Sequence, residues 1–502
     1  MSKTSKISLF STDIVQIFLL LTLGTLVPSS CKRAETFPAL GEQVASPVDV
    51  AVAPGEGYFY ALNADFDRTF NAGSLLVIDT EGNKKSAISV PRLGRNIAIA
   101  GNDMLVTFDA DGTSRSAEAI LYDISTPEAP REVTRLDLGC SPLNTVMRDG
   151  YKHFAIACEN AGDAGGILIG TLADDRTQTT VKLVRTYGTA RRAMHLDPVN
   201  ELLFAFPTDY GMQTWMDLDL DDSSTFAADG TQTSVPNEIP DDYERTRRAR
   251  SNLSQRHIYQ FIVYDLATER AATPEPFPFR DAKSTEVDKE LRWIYFNPEG
   301  FGGVPDSDAG LTSTTATRRY YRTNFFAAAH DPDDVAAFYL SHRGHVDSVT
   351  GLGSSQANDV LRVALTGDPR VKADGTVPLT SDYLQFTRVY GRGVEDNEKG
   401  LHYPGDIDVK HVQGEKMLFV NHFRDLVNWT RSQVYFGIAA KSLGRDYWSS
   451  EIGNSEPDAQ NSYYQVAVTS TGRAAACSFY GNKVILFDVV PGAAIKEHLI
   501  VQ

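Results

Sequence analysis

From about residue 45 the chain repeats one phrase, and self-similarity at a fixed period narrows the choice of folds more than any other feature of a sequence. The phrase begins with a turn containing Pro or Arg. A short apolar strand follows, then a tight turn, a second apolar strand, a polar loop, and a third strand that often ends in Asp. The first copy, residues 46–83, reads SPVDVAVAPGEGYFYALNADFDRTFNAGSLLVIDTEGN. The second reads GRNIAIAGNDMLVTFDADG and then AILYDIS. The third reads SPLNTVMRDGYKHFAIACENAGD and then GILIGTL. The fourth reads RRAMHLDPVNELLFAFPTDYG and, after an insertion, QFIVYDLATE. Their opening positions Pro47, Arg95, Pro142 and Arg192 stand 48, 47 and 50 residues apart. Three looser copies begin at TNFFAAAHDPDDVAAFYLSHRG, GDIDVKHVQGEKMLFVNHFRD and YYQVAVTSTGRAAACSFYGN, the last ending in a strand near HLIVQ.

Short β-branched and aromatic runs bounded by Gly, Asp, Asn and Pro are antiparallel strands. A sheet of three or four such strands cannot bury both of its faces alone. Stacking copies around an axis covers the faces and leaves only short edges. Seven copies therefore predict an all-β, seven-bladed β-propeller of four-stranded blades over residues 46–502. A pair of β-sandwiches and a β-helix are the alternatives. With 42% hydrophobic and 23% charged residues the chain can fill such a core, which excludes bulk disorder.

The first copy resembles the YVTN family of β-propeller repeats. The resemblance rests on Pro47, VAVAPGEG, FYALN and LLVIDT, within residues 46–80. It extends more loosely over most of the chain. It implies a propeller fold, and since that family includes surface-layer proteins, lactonase-like enzymes and dehydrogenase subunits, it implies no single activity.

The first 30 residues read as an export signal. Lys3 and Lys6 precede the apolar run Ile14 to Val27, and Pro28-Ser29-Ser30 precede Cys31. Fourteen apolar residues are short of the roughly 20 that span a bilayer. The arrangement resembles a bacterial lipoprotein signal, in which the cysteine becomes the lipidated first residue, although Pro28 stands where that family favours Leu. Cys31 is the expected lipidation site and residues 31–45 the anchor and linker; plain secretion is the alternative. Lys32 in place of Asp favours the outer membrane over inner-membrane retention. The net charge of −17 makes the body a poor partner for nucleic acid.

Export permits disulfides. Asp149-Gly150 is a hairpin signal that folds Cys140 back towards Cys158, so these two are expected to pair. Cys477 is expected to be free and buried.

If strands alternate up and down, the loops entering the first strands and those after the second strands open on one face around the axis. That rim gathers Asn63, Asp65, Asp109, Asp111, Glu159, Asp209, His342, His422 and Arg424. Asp49, Arg95, Asn96, Arg191, Arg192, Asn324 and Asp406 enter the first strands beside them. The carboxylate side suits a hard cation such as Ca, and the His side a base. Asp and Asn are also ordinary turn-formers, which explains the same residues without a ligand. Residues 210–257 form a long insertion holding Asp217, Asp219, Asp221, Asp222 and the run Arg245 to Arg250. The acidic stretch lacks the Gly and Glu of a calcium loop, and no nucleotide-binding, zinc-protease, hydrolase or haem motif occurs. The reading is a binding or scaffolding module of the cell envelope, monomeric, taking an envelope protein or small ligand on its rim and touching membrane through its anchor alone. A lactonase-like hydrolase using a rim-bound divalent cation is the alternative. A redox subunit is a third reading.

Overall fold

A computed structural model describes residues 37–112, 116–159, 166–176, 179–185, 190–208, 260–271, 293–295, 324–343, 359–370, 372–374, 383–390, 404–428, 431–445, 448–454, 463–479 and 481–502. They form seven antiparallel sheets arranged as a seven-bladed β-propeller. Each sheet is built from consecutive strands. The innermost strands are Pro47–Val52, Gly94–Ala100, Pro142–Val146, Ala190–Asp197, Asn324–Asp331, Pro404–Val412 and Tyr463–Val468. Six sheets have four strands. In the fourth, Arg270–Ala271 and Trp293–Tyr295 both pair with Gln260–Asp265, giving five. The repeat phrase thus maps onto blades copy for copy. The insertion 210–257 and Asp209 lie outside the described residues.

The core is divided among the seams. Seven buried apolar clusters occur, and each draws on two consecutive blades. The strands alternate, so one set of side chains packs against the preceding blade and the other against the following one. In the first blade Val50, Phe59, Ala61, Leu76 and Ile78 meet the seventh. Tyr60, Leu62, Leu75 and Val77 meet the second. Among the described residues no strand is shared between the ends of the chain. The ring closes because Ala467, Ala475, Cys477, Val484, Leu486 and Val501 of the last blade bury the outer face of the first. Polar contacts reinforce that seam: Ser46 donates its N–H to the Asn482 side chain at 2.7 Å, and Lys84 reaches the Gln502 carbonyl at 2.6 Å. Cys140 and Cys158 form a disulfide, Cα atoms 5.7 Å apart, at the head of the third blade. Cys477 is free and buried.

The third blade also shows why its third strand carries a glycine. Gly170 pairs opposite Phe154, whose ring lies over it. A Cβ there would stand 1.9 Å from the ring's Cζ, and Phe154 is fully buried. Gly170→Ala is therefore expected to overpack this seam by about 1–3 kcal/mol, read as a lowered urea midpoint with an unchanged strand signature in circular dichroism.

Candidate functional site

In all seven blades the innermost strand begins with a β-bulge. It lies between Pro47 and Asp49, Gly94 and Asn96, Pro142 and Asn144, Ala190 and Ala193, Phe325 and Ala327, Pro404 and Ile407, and Tyr463 and Val466. A bulge turns a strand locally and redirects one side chain. The residues so placed are Asp49, Asn96, Asn144, Arg192, Phe326, Asp406 and Gln465, at the level where the chain enters the blades.

These side chains bridge neighbouring blades in a polar belt. Asp49 accepts from Val50 N at 2.8 Å in its own strand, and from Asn96 Nδ2 at 2.8 Å and Ile97 N at 2.5 Å in the second blade. Asn96 Oδ1 accepts from Thr145 N of the third at 2.9 Å. Asn144 Nδ2 donates to the Arg192 carbonyl of the fourth at 2.8 Å. The Arg192 guanidinium lies 3.8 Å over the Phe326 ring of the fifth, a cation–π contact. Between the fifth and sixth, Ser341 Oγ donates to the Gly405 carbonyl at 2.7 Å. Between the sixth and seventh, Asp408 takes a backbone hydrogen bond from Val468.

The belt concentrates opposed charges. Burial pushes the Asp49 carboxyl up to about 7, against the three hydrogen bonds donated to it and the charge of Arg192. Burial also holds Asp406 well above the usual carboxylate range. The charge of Asp49 adds to that rise, and Arg192 opposes it. Asp408 is raised by burial as well. The arrangement is a pair of carboxyl groups that both feel the charge of one guanidinium, with the amides of Asn96 and Asn144 in the same belt. It can exchange hydrogen bonds of either sense with a polar group at the channel mouth.

Two of the carboxylates expected on the rim, Asp65 and Asp109, are occupied in the fold. The two kinds of loop do share a face: Ala64 N bonds to Ser46 O, Leu93 N to Ala64 O, and Asp109 N to Leu93 O. Asn63 is buried and ties Ala45 N to Ser74 Oγ. Asp65 is buried at φ +46°, caps Thr69 N and Phe70 N, and pairs with Arg92 at 3.2 Å. Asp109 pairs with Arg95 at 2.5 Å. The Asp111 carbonyl accepts from Arg68, and Glu159 N bonds to Ser141 O. His342 lies in the second strand of the fifth blade, and His422 and Arg424 in that of the sixth; their side chains, like Asp209, lie outside the described residues. Among the described residues no group of three His, Cys, Asp or Glu has the geometry of a metal site. Asn144 and Gln465 were not singled out from the sequence. The signal for both is a polar residue two positions after the first residue of the innermost strand.

A second buried polar pair lies further down the channel strands. His195 Nδ1 and His330 Nδ1 are 3.1 Å apart, and His195 stacks on Phe338 with centroids at 4.2 Å. Burial pushes His330 down to about 3, helped by the charge of Arg148, and holds His195 well below the ordinary imidazole value. The pair is therefore neutral, one ring donating and the other accepting.

No family model matches the chain, and no curated protein matches it. Solved structures similar to it include the periplasmic gluconolactonase PpgL of Pseudomonas aeruginosa, 9% identical, covering 86% of this chain and 92% of that one with a TM-score of 0.42. A candidate 6-phosphogluconolactonase of Bacteroides fragilis is 11% identical, covering 92% and 98% at 0.40. Hsv2 of Kluyveromyces lactis is 9% identical, covering 91% and 98% at 0.42. Likeness at this level carries no argument about activity.

The belt makes a prediction about pH. Unfolded, Asp49 titrates at its ordinary 3.8; folded, it holds its proton up to about 7. The unfolded chain thus binds fewer protons at this group between these values, so the stability that Asp49 contributes is fully present below about pH 4 and is lost as pH rises to about 7. At about 1.4 kcal/mol per unit, that is on the order of 4 kcal/mol. Asp49→Asn is expected to remove the share of the slope that Asp49 contributes and to leave those of Asp406 and Asp408, checked by urea unfolding near both ends of the window.

Proposed function

We propose that this chain is an exported, lipid-anchored propeller that recognises a small polar ligand or a segment of an envelope protein at its axial mouth. The observation that carries the reading is the belt. Asp49, Asn96 and Asn144 are fixed by hydrogen bonds between blades, Arg192 lies over Phe326, and Asp406 and Gln465 take the same position in their innermost strands. Rigid placement of this kind reduces the ordering entropy lost on binding. The basic start, short apolar run and Cys31 of the first 31 residues support export and anchoring, and the likeness of residues 46–80 to YVTN repeats agrees with an envelope protein.

Two outcomes are expected. Cys31→Ser shifts the protein from the membrane fraction to the soluble fraction. In a calorimetric screen of sugars, sugar acids and short peptides, at least one compound raises the melting temperature of the wild type and leaves Asp49→Asn and Arg192→Ala unmoved; a screen that moves none of the three proteins counts against the mouth as a site.

One observation favours a second reading, the lactonase-like hydrolase. The Asp49 carboxyl is held near pH 7, where a general base works best. A divalent cation such as Ca on the Asp49 and Asp406 carboxyls belongs to this reading, with His342 or His422 as the other base considered. Opening of glucono-lactone with a rate inflection near pH 7, lost in Asp49→Asn, would replace the binding module by an enzyme.

A further inference from the structure

The described surface exposes eight large apolar side chains, and the two aromatic ones share a corner. Val181, Leu183 and Leu499 lie on outermost strands. Val199 and Val490 lie at turns, and Val335 at the start of the strand Asp334–Arg343, on the face opposite the belt. Phe37, 42% exposed, and Phe66, 49% exposed, both stand on the rim face of the first blade. Phe66 meets Phe479 of the seventh blade edge to face, centroids 5.7 Å apart. Arg92 lies 5.4 Å from the centroid of Phe37, and the exposed Arg68 is held on the neighbouring loop by the Asp111 carbonyl at 2.8 Å. Asp67, next to Phe66 in this loop, is exposed as well. Asp65 beneath is buried and paired with Arg92.

This corner is also where the amino-terminal chain reaches the body. Asn71 N bonds to Pro38 O at 3.0 Å, and Leu40 and Val44 are buried, so the chain is fixed to the rim face from about Phe37 onward. Cys31 precedes Phe37 by six residues. Fully extended, six residues span about 20 Å. Lys32 and Arg33, against Glu35, leave one net positive charge within that span. Exposed aromatics beside Arg and Lys are the composition of a surface that beds into lipid headgroups.

We infer that the corner formed by Phe37, Phe66 and Phe479 seats on the phospholipid surface, so that the axial mouth faces the membrane. The inference rests on the reading of Cys31 as the lipidated residue. The lipid fixes one point and the aromatics a second, and together they set the tilt of the ring. The net charge of −17 makes the body as a whole repel an anionic surface, and at this corner Arg92 is paired with Asp65 and Arg68 adjoins Asp67, so the contact rests on the aromatics and the anchor.

The test uses the full chain in vesicles of phosphatidylethanolamine with a minor fraction of phosphatidylglycerol. Nitroxide labels are placed through Phe66→Cys and, on the opposite face, Val335→Cys. Cys140 and Cys158 are bridged and Cys477 is buried, so with Cys31 acylated each new thiol is the one that reacts. The expected result is a several-fold loss of collisions with a water-soluble nickel chelate at position 66 on joining the vesicles, with a matching rise in contact with oxygen. Position 335 should not change. Equal exposure at both positions, with an acyl mass found on Cys31, overturns the seat and leaves the anchor standing. Protection of position 66 before vesicles are added means a protein contact covers the corner, and overturns the seat too. Absence of the acyl mass overturns the anchor alone; the chain carrying Cys31→Ser with Phe66→Cys is then labelled and mixed with the same vesicles, where protection at position 66 sustains the seat and full exposure removes it.

Discussion

Burial of sheet faces between neighbouring blades is the interaction on which everything else in this structure rests. A four-stranded sheet with both faces wet has no core. Here each blade lends one face to the blade before it and the other to the blade after it, and the buried apolar clusters sit at those seams. The ring must therefore close. It does so without exchanging a strand between the chain ends, through Val50, Phe59 and Leu76 against Ala475, Val484 and Leu486. Closure gives the innermost strands a common axis, and the common axis brings seven bulges to one level.

The belt at that level combines specificity with strain on charge. Apolar seams can slide a little; hydrogen bonds such as Asp49 to Ile97 N and Asn96 to Thr145 N cannot, because each has a single geometry. The belt thus fixes the angular spacing of the blades. Its cost is two carboxyl groups placed where burial opposes their charge. Arg192 offsets part of it, and its own guanidinium is braced on Phe326. A site of this sort is charged, preorganised and close to its titration range, which is the condition in which a ligand or a proton changes it most.

The fold was legible because the repeat was strong: period-two apolar runs and turn residues recur from Pro47 to the carboxyl terminus, and the blade order follows. The Cys140 to Cys158 pairing was legible from one hairpin signal, Asp149-Gly150. The site was legible only in part. Asp49, Asn96, Arg192 and Asp406 stood out as polar residues entering first strands, but the weight went to Asp65 and Asp109. Those side chains turned inward to cap backbone N–H groups and to pair with Arg92 and Arg95. A sequence shows an Asp in a loop and does not show whether that loop leaves an N–H uncapped. Asn144 and Gln465 were hidden for a different reason. Their place depends on a bulge, which shifts register by a residue and leaves no residue type of its own behind.

Because no strand is lent from one end of the chain to the other, the first blade keeps one apolar face uncovered until the last blade has been made. Val44, Val50 and Phe59 find their partners more than 400 residues away in sequence, among Ala467 to Val501. Contacts of such separation form late and slowly. Synthesis of both end blades must finish before the circle can shut, and for that interval the newborn protein presents a sticky edge at each end.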